Sequence, residues 1–539
     1  MERQFKLIDR RRLTDLLGLS CVSAMLFLHL LNTPHIFDIE FADETIYLGH
    51  AIVPPPGLMR SYELSGLYSL CYRFLHLFVG DTVALYLWGG SIILTVCGFA
   101  IYASVRVLSG SAAFGMTVCS AFIFSGALDV WPRSSYAAIA FAALGLICAH
   151  FVRPWLAKAC LLMLSAFLMA FIRPEFVLAF YVAVFASVAL AIYEVFGAVR
   201  AHHTRRLVQC DLLPAWLSIA AVLALVEIWS LPVLQDNARA FIAFGQHYSL
   251  RYVNEHHLSI NPWQNFTQII GPLFPRARTV GEAARAAPGL YAEFLVHNTI
   301  DSLRTLGGFL SEWLRPHTGA IRAIAGTACI FAAMLWVGRP SIRTHTKEHL
   351  PRNFVLTDAA AVSILMAPPL LASVAVYPRL HYLIIVLFFL FEGLGLIWRY
   401  AGCKVPTRAV LLLGVGLVLT TPVLPRVDQP VVKSIMSVRA QPGIKSMLEA
   451  DLGWCFYYVP PCIAIWPRPG GTFESFSKPF SLSKRVEEAN PDAIMVSNGL
   501  LAIVGVKDDP LYKTLMSDPH SVGFEAINLP QQRTLLLKR

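Results

Sequence analysis

Four carboxylates crowd the stretch DIEFADETIYLGHA: Asp38, Glu40, Asp43 and Glu44. They follow an apolar run, Leu13 to Leu31, long enough to cross a bilayer. A carboxylate held in hydrocarbon costs roughly 2.5 to 3.5 kcal/mol on insertion scales, so these four must meet water, metal or substrate. A free Asp, with a pKa of about 3.9, is a weak base. Partial burial beside a second carboxylate raises that value toward neutral pH, where proton abstraction becomes effective. Asp43 or Glu44 is therefore a candidate general base or metal ligand, and the plainer alternative is a helix-capping acid in an interfacial loop. Asp38-Ile39-Glu40 only approximates a D-x-D metal signature, which leaves a divalent metal possible and no cofactor certain.

A second constellation, FGQHYSLRYVNEHHLSINPW, sets His247, Arg251, His256 and His257 among Tyr248, Tyr252 and Trp263. Cations interleaved with amphipathic aromatics suit a lipid phosphate at the headgroup level. An ordinary interfacial helix is the competing reading. His256 and His257 are adjacent, so on a helix they face different ways, which weakens a zinc site. Three short turns add cations: Trp131-Pro132-Arg133, Arg173-Pro174-Glu175, and Tyr377-Pro378-Arg379-Leu380-His381. Each alone reads as a snorkelling charge in a helix connection.

The elements that must carry these groups are set by composition. Of 539 residues, 56% are hydrophobic and 14% charged, against about 25% charged in soluble proteins, which excludes an ordinary soluble enzyme. Mean hydropathy is +0.58. Eleven apolar runs are long enough to be spans: 13–31, 82–105, 111–128, 135–152, 156–172, 176–197, 213–231, 319–337, 355–376, 382–398 and 409–424. Placing the basic N-terminus (Arg10, Arg11, Arg12) inside makes every second connection cytoplasmic. Those connections hold Arg106; Arg153 and Lys158; Arg200, Arg205 and Arg206; Arg339, Arg343, Lys347 and Arg352; and Arg399, Lys404 and Arg408. The positive-inside rule accounts for the net charge of +10 without nucleic acid, for which no binding motif is present. The carboxylates and the cationic turns then all fall outside, in loops 32–81 and 234–318 and the short turns. Within the first loop, Glu63 to Gly80 is broken by Arg73 and His76 and reads as an interfacial helix.

The expected fold is mainly α: a polytopic membrane bundle of about 11 transmembrane helices (residues 1–425) with a small extracytoplasmic α/β domain (426–539). In that domain strands are expected at Ala493–Val496 and Leu501–Val506, and helices near Gly443–Ala450 and Asp509–Met516. Most cysteines lie in apolar runs and behave as small hydrophobes. Cys455 and Cys462 are a disulfide candidate, with free thiols nearly as plausible.

The membrane portion resembles the GT-C membrane glycosyltransferases, in particular the bacterial branch of aminoarabinose transferases and protein mannosyltransferase-like proteins. The resemblance rests on the acidic pair Asp43 and Glu44 followed by Tyr47, the interfacial helix before the second span, the Arg173-Pro174-Glu175 turn, and the late PRLHY, Pro378 to Tyr382. It implies transfer of a sugar from a polyprenyl-phosphate donor to a hydroxyl of a lipid, glycan or protein acceptor, outside a bacterial inner membrane. Carried over, Asp43 is the first choice of base, with Glu44 its helper or a metal ligand. Arg379, then Arg251, His247 and His381, meet the phosphate. Tyr47, Arg133, Arg173, Glu175, His256 and His257 are further pocket candidates. One carboxylate base implies inversion at the anomeric carbon. The rivals are an O-antigen ligase or polymerase using a diphosphate-linked glycan, and a transporter or flippase. The latter places ionisable residues mid-span, where this chain has chiefly Glu227 and Glu392.

Overall fold

A computed structural model describes residues 2–40, 43–55, 57–58, 65–200, 212–232, 238–263, 265–315, 318–337, 352–403, 405–441, 443–449, 458–459, 462–464, 481–501, 503, 505–530 and 532–539. All eleven apolar runs fall on helices. The first is α1 (Glu2–His29), after which come two short helices, α2 (Asp43–Ile52) and α3 (Gly66–His76). The series continues with α4 (Thr82–Ser109), α5 (Ala112–Phe124), α6 (Ser134–Phe151), α7 (Trp155–Ala170), α8 (Val177–Arg200) and α9 (Leu213–Trp229). The long second loop folds into α10 (Ala238–His256), α11 (Thr267–Leu273), α12 (Val280–Ala286) and α13 (Pro288–Trp313). Four more long helices follow: α14 (Ala320–Val337), α15 (Arg352–Ala375), α16 (Leu380–Tyr400) and α17 (Thr407–Thr420).

Among the described residues six helices are long and apolar enough to cross a membrane: Arg12–His29, Thr82–Ser109, Ser134–Phe151, Pro174–Phe196, Thr357–Ala375 and Leu380–Tyr400. The other five apolar helices are shorter, from Ala112–Phe124 at 13 residues upward. Local chemistry marks the ends. Asp81 accepts from the Ala84 amide at 2.8 Å to start α4, which stops at Gly110 with φ 69°. Helices α14 and α17 touch through glycines: a Cβ added at Gly326 or Gly416 would stand 2.8 Å from the other's carbonyl oxygen. Helix α3, at 11 residues, is too short to span and buries Tyr68, Ser69 and Tyr72 while exposing Phe74, with Leu77 and Phe78 exposed just past its end.

The tail begins with α18 (Pro430–Arg439) and contains β1 (Met447–Glu449), β2 (Cys462–Ala464), α19 (Leu482–Ala489), β3 (Ala493–Val496), α20 (Asn498–Leu501), α21 (Pro510–Ser517), β4 (Phe524–Leu529) and β5 (Arg533–Lys538). The sheet order is β2-β1-β3-β5-β4, with β1 parallel to β2 and β3, and β5 antiparallel to β3 and β4. Strands β1, β3 and most of β5 are buried on both faces. Met447, Ala493, Met495 and Leu535 join the core of the helical body, and their neighbours Leu448, Ile494, Val496 and Leu536 pack on Leu482, Leu500 and Leu515. This two-sided burial corrects two expectations. The stretch Gly443–Ala450 holds strand β1 instead of a helix, because a short apolar run buried on both faces lacks the alternation that identifies a strand. Where a strand is expected at Leu501–Val506, Leu501 closes α20 and the other described residues are bend and turn, with Gly505 at φ 91° and Ile503 and Val506 entering the core singly.

The tail is zipped to the first loop. Val427 N donates to His35 O at 2.8 Å, and Gln429 Nε2 donates to Pro34 O and Phe37 O, each at 2.6 Å. Asp38 accepts the Val431 and Val432 amides at 2.7 and 3.1 Å, capping α18.

At one end of the bundle, four helices meet in a buried charge cluster. Asp358 at the start of α15 binds Lys158 Nζ of α7 and His150 Nδ1 of α6, both at 2.8 Å. Arg399, at the end of α16, reaches His150 Nε2 at 2.9 Å and the Val107 carbonyl at 3.1 Å. His150, Lys158 and Asp358 are all buried. Arg106 pairs with Asp15 at 2.6 Å. Thus of the basic residues that sequence assigns to cytoplasmic connections, Lys158 is buried, and half-buried Arg106 and Arg399 bind groups of the protein. Arg205, Arg206, Arg339, Arg343, Lys347, Lys404 and Cys455 lie outside the described residues.

Candidate functional site

The opposite ends of α6, α7, α15 and α16 carry the Arg133, Arg173 and Arg379 turns, and α2 lies against them. The two acidic residues of α2 part there. Asp43 is exposed in the first turn, where the helix dipole favours it. Glu44, one position on, is turned inward: Oε2 accepts from the Tyr68 hydroxyl at 2.7 Å and Oε1 from the Ser134 amide at 3.1 Å. Burial pushes its pKa up to about 8, and the nearby Asp43 charge adds to this. The two donors and the Arg133 charge pull the other way.

From Ser134 a line of contacts runs across the cluster. Arg173 reaches the Ser134 hydroxyl at 3.5 Å, pairs with Glu175 at 2.9 Å, and lies over the Tyr382 ring, 5.0 Å from its centre. Arg133 pairs with Asp129, which also accepts from Tyr136 at 2.8 Å. Arg133, Arg173, Arg379 and His247 all lie near enough to His381 to act on it electrostatically, and His381 Nε2 is shut from solvent without a hydrogen-bond partner.

Arg379 stands at the head of α16 and donates from Nε to His247 Nε2 at 2.7 Å. The acceptor role fixes His247 as neutral, with its proton on Nδ1. Burial first, then the Arg379 charge, push the His247 pKa down to about 3. The ring is 2% exposed, stacks on Tyr377 at 4.3 Å, meets Trp263 edge-on, and leaves Nδ1 buried without a partner. Among the described residues no carboxylate pairs with Arg379, unlike Arg133 and Arg173.

The remaining candidates fall elsewhere. Arg251 is committed to Glu255 at 2.6 Å and Glu293 at 3.2 Å. His256 is exposed at the end of α10, held by the Tyr252 carbonyl at 2.9 Å, and exposed His257 follows with φ 53°. Tyr47 is buried edge-on to Tyr68 at 5.5 Å. Among the described residues no three His, Cys, Asp or Glu side chains gather as metal ligands would. Sequence reasoning passed over Tyr68, Ser134 and Asp129. Asp129 lies two residues before Trp131-Pro132-Arg133, and Tyr68 lies in the stretch already read as interfacial, so the signals were present without the partner that gives them meaning.

The cluster offers a half-buried carboxylate with raised proton affinity and a guanidinium that has no carboxylate partner among the described residues, with Arg173 and His381 in the same cluster. It can accept a proton at one side and hold an anion at the other. No family model and no curated protein matches this chain.

Proposed function

We propose that the protein is a GT-C-type membrane glycosyltransferase, moving a sugar from a polyprenyl-phosphate donor to an acceptor hydroxyl on the extracytoplasmic side. Eleven helices cross the membrane in this reading, with the N-terminus cytoplasmic and the tail outside. The observation that carries it is Arg379: a half-buried cation whose side chain, among the described residues, donates to a neutral imidazole and to no carboxylate, beside the buried Nδ1 of His247 and Nε2 of His381. Such a group is incomplete until an anion arrives. The clustering of Glu44 with these cations supports the transfer step. Glu44 takes the proton of the acceptor hydroxyl as its oxygen bonds to the anomeric carbon. The bond from that carbon to the phosphate oxygen breaks, and its electron pair leaves on the polyprenyl phosphate, whose charge the cations stabilise. A single displacement inverts the anomeric centre. Asp43 stands beside the base and adds to its proton affinity.

The test is transfer in proteoliposomes from polyprenyl-phosphate-linked sugars to envelope acceptors, followed by mass spectrometry, with diphosphate-linked donors in parallel. Glu44→Gln is expected to lose about 100-fold or more of transfer. Activity in that variant close to wild type, or transfer from diphosphate donors alone, would overturn the assignment.

One observation favours a second reading. Glu392 sits midway along α16, buried, taking a hydrogen bond from Ser104 while its Oε2 has no partner. Buried mid-span carboxylates are characteristic of proton-coupled transporters. Proton-dependent flux in the same proteoliposomes, without sugar transfer, would select it.

A further inference from the structure

Tyr68 reaches Glu44 from α3 and is fully buried. Its ring is held edge-on by Tyr47 at 5.5 Å and by Tyr72 at 5.3 Å, which restricts the direction its hydroxyl takes. The helix that carries it is anchored where the site's cations begin: Leu67 N donates to Phe171 O at 3.1 Å, two residues before Arg173. The Ser134 amide fixes the other carboxylate oxygen from the head of α6. Glu44 is thus held by two donors on two separate elements, and the side-chain donor belongs to α3.

We infer that Tyr68 is a positioning residue: its hydroxyl fixes the direction of the Glu44 carboxylate and stabilises the ionised form in which a base must act. The inference rests on the reading of Glu44 as the base. The groups facing Glu44 are Asp43 on α2, Tyr68 and Tyr72 on α3, Tyr86 on α4 and Arg133 before α6. Burial holds Tyr68 and Tyr72 far above the usual phenol range, so both stay neutral donors while Glu44 titrates. Loss of a donor to a carboxylate disfavours its charged form, which fixes the sign of every outcome.

The experiment is an infrared pH titration of the full-length protein in lipid nanodiscs, the protonated-carboxyl band being assigned by difference against Glu44→Gln. Tyr68→Phe keeps the ring and is expected to move the Glu44 midpoint up by about one pH unit. Incorporating 3,5-difluorotyrosine at position 68, a stronger donor, is expected to move it down, and this arm decides the matter if the phenylalanine variant does not fold. Transfer from the polyprenyl-phosphate donor is read in parallel, and its rise with pH should move with the midpoint. A midpoint that neither substitution moves overturns the inference. Shifts of both signs with no transfer in the unsubstituted protein sustain the placement of Tyr68 and sink the transferase reading.

Discussion

The same four helices, α6, α7, α15 and α16, end in two ionic clusters of similar residue types and opposite character. At one end Asp358 is matched by Lys158 and His150, and Arg399 donates to His150 and to the α4 carbonyls, so both nitrogens of the histidine and both cations have partners within the protein. At the other end Arg133 and Arg173 have carboxylates, Arg379 has a neutral histidine, and Glu44 is half-buried with its proton affinity raised. The contrast teaches that burial of charge is not itself a mark of function. A closed set of partners staples helices together, whereas a set that leaves two buried imidazole nitrogens unanswered beside a cation with no carboxylate among the described residues is the one proposed above to take a ligand.

The largest expected effect breaks the stapled end. Asp358→Ala leaves Lys158 buried without its carboxylate and is expected to cost about 3 to 5 kcal/mol of stability. Thermal or denaturant unfolding in detergent measures it, and binding of a polyprenyl phosphate to the protein that remains folded should be unchanged. Arg379→Ala should behave in the reverse manner. It orphans no carboxylate, so stability should hold, while polyprenyl-phosphate binding weakens by about 1.5 to 3 kcal/mol, or roughly 10- to 100-fold. Loss of stability comparable to that of Asp358→Ala would erase the distinction between the two ends.

Glu44 provides a pH-dependent comparison. Its folded-state pKa of about 8 lies above the unfolded value of about 4.3, so the folded protein binds this proton more tightly. The stability this provides is fully present below the unfolded value and is lost as pH rises through about 8. Glu44→Gln imitates the protonated side chain and should melt at or above the wild-type temperature at pH 9, though transfer is gone. His247, with its pKa near 3, stays neutral from pH 5 to 9 and should add no limb near pH 6.5 to the activity profile. The smallest effect concerns the zip between tail and first loop: Asp38→Ala removes the α18 cap and is expected to cost about 0.5 to 2 kcal/mol. Faster limited proteolysis of the tail would report it.

How far these features could be read in advance follows from the range of the interactions. Each apolar run became a helix because twenty-residue hydropathy is a local property. The turns carrying Arg133, Arg173 and Arg379 came together because consecutive antiparallel helices return their connections to the same end. What sequence concealed is pairing at long range. Lys158 and Asp358 are 200 residues apart, so nothing local to Lys158 showed its partner, and Glu293, which pairs with Arg251, lies 42 residues away from it. Asp43 and Glu44 are indistinguishable by position, and only the approach of Tyr68 and Ser134 separates them. Strand β1 was mistaken for a helix because its pleat is buried on both faces.

The central claim, that the unanswered charges around Arg379 are reserved for a lipid phosphate, is tested most directly by comparing a polyprenyl monophosphate with the uncharged polyprenol of the same length. The isoprenoid chain passes from bilayer to protein in both cases and cancels. The account predicts at least about tenfold tighter binding of the phosphate, erased by Arg379→Ala and retained in Arg251→Ala. Equal binding of alcohol and phosphate to the wild-type protein would contradict it.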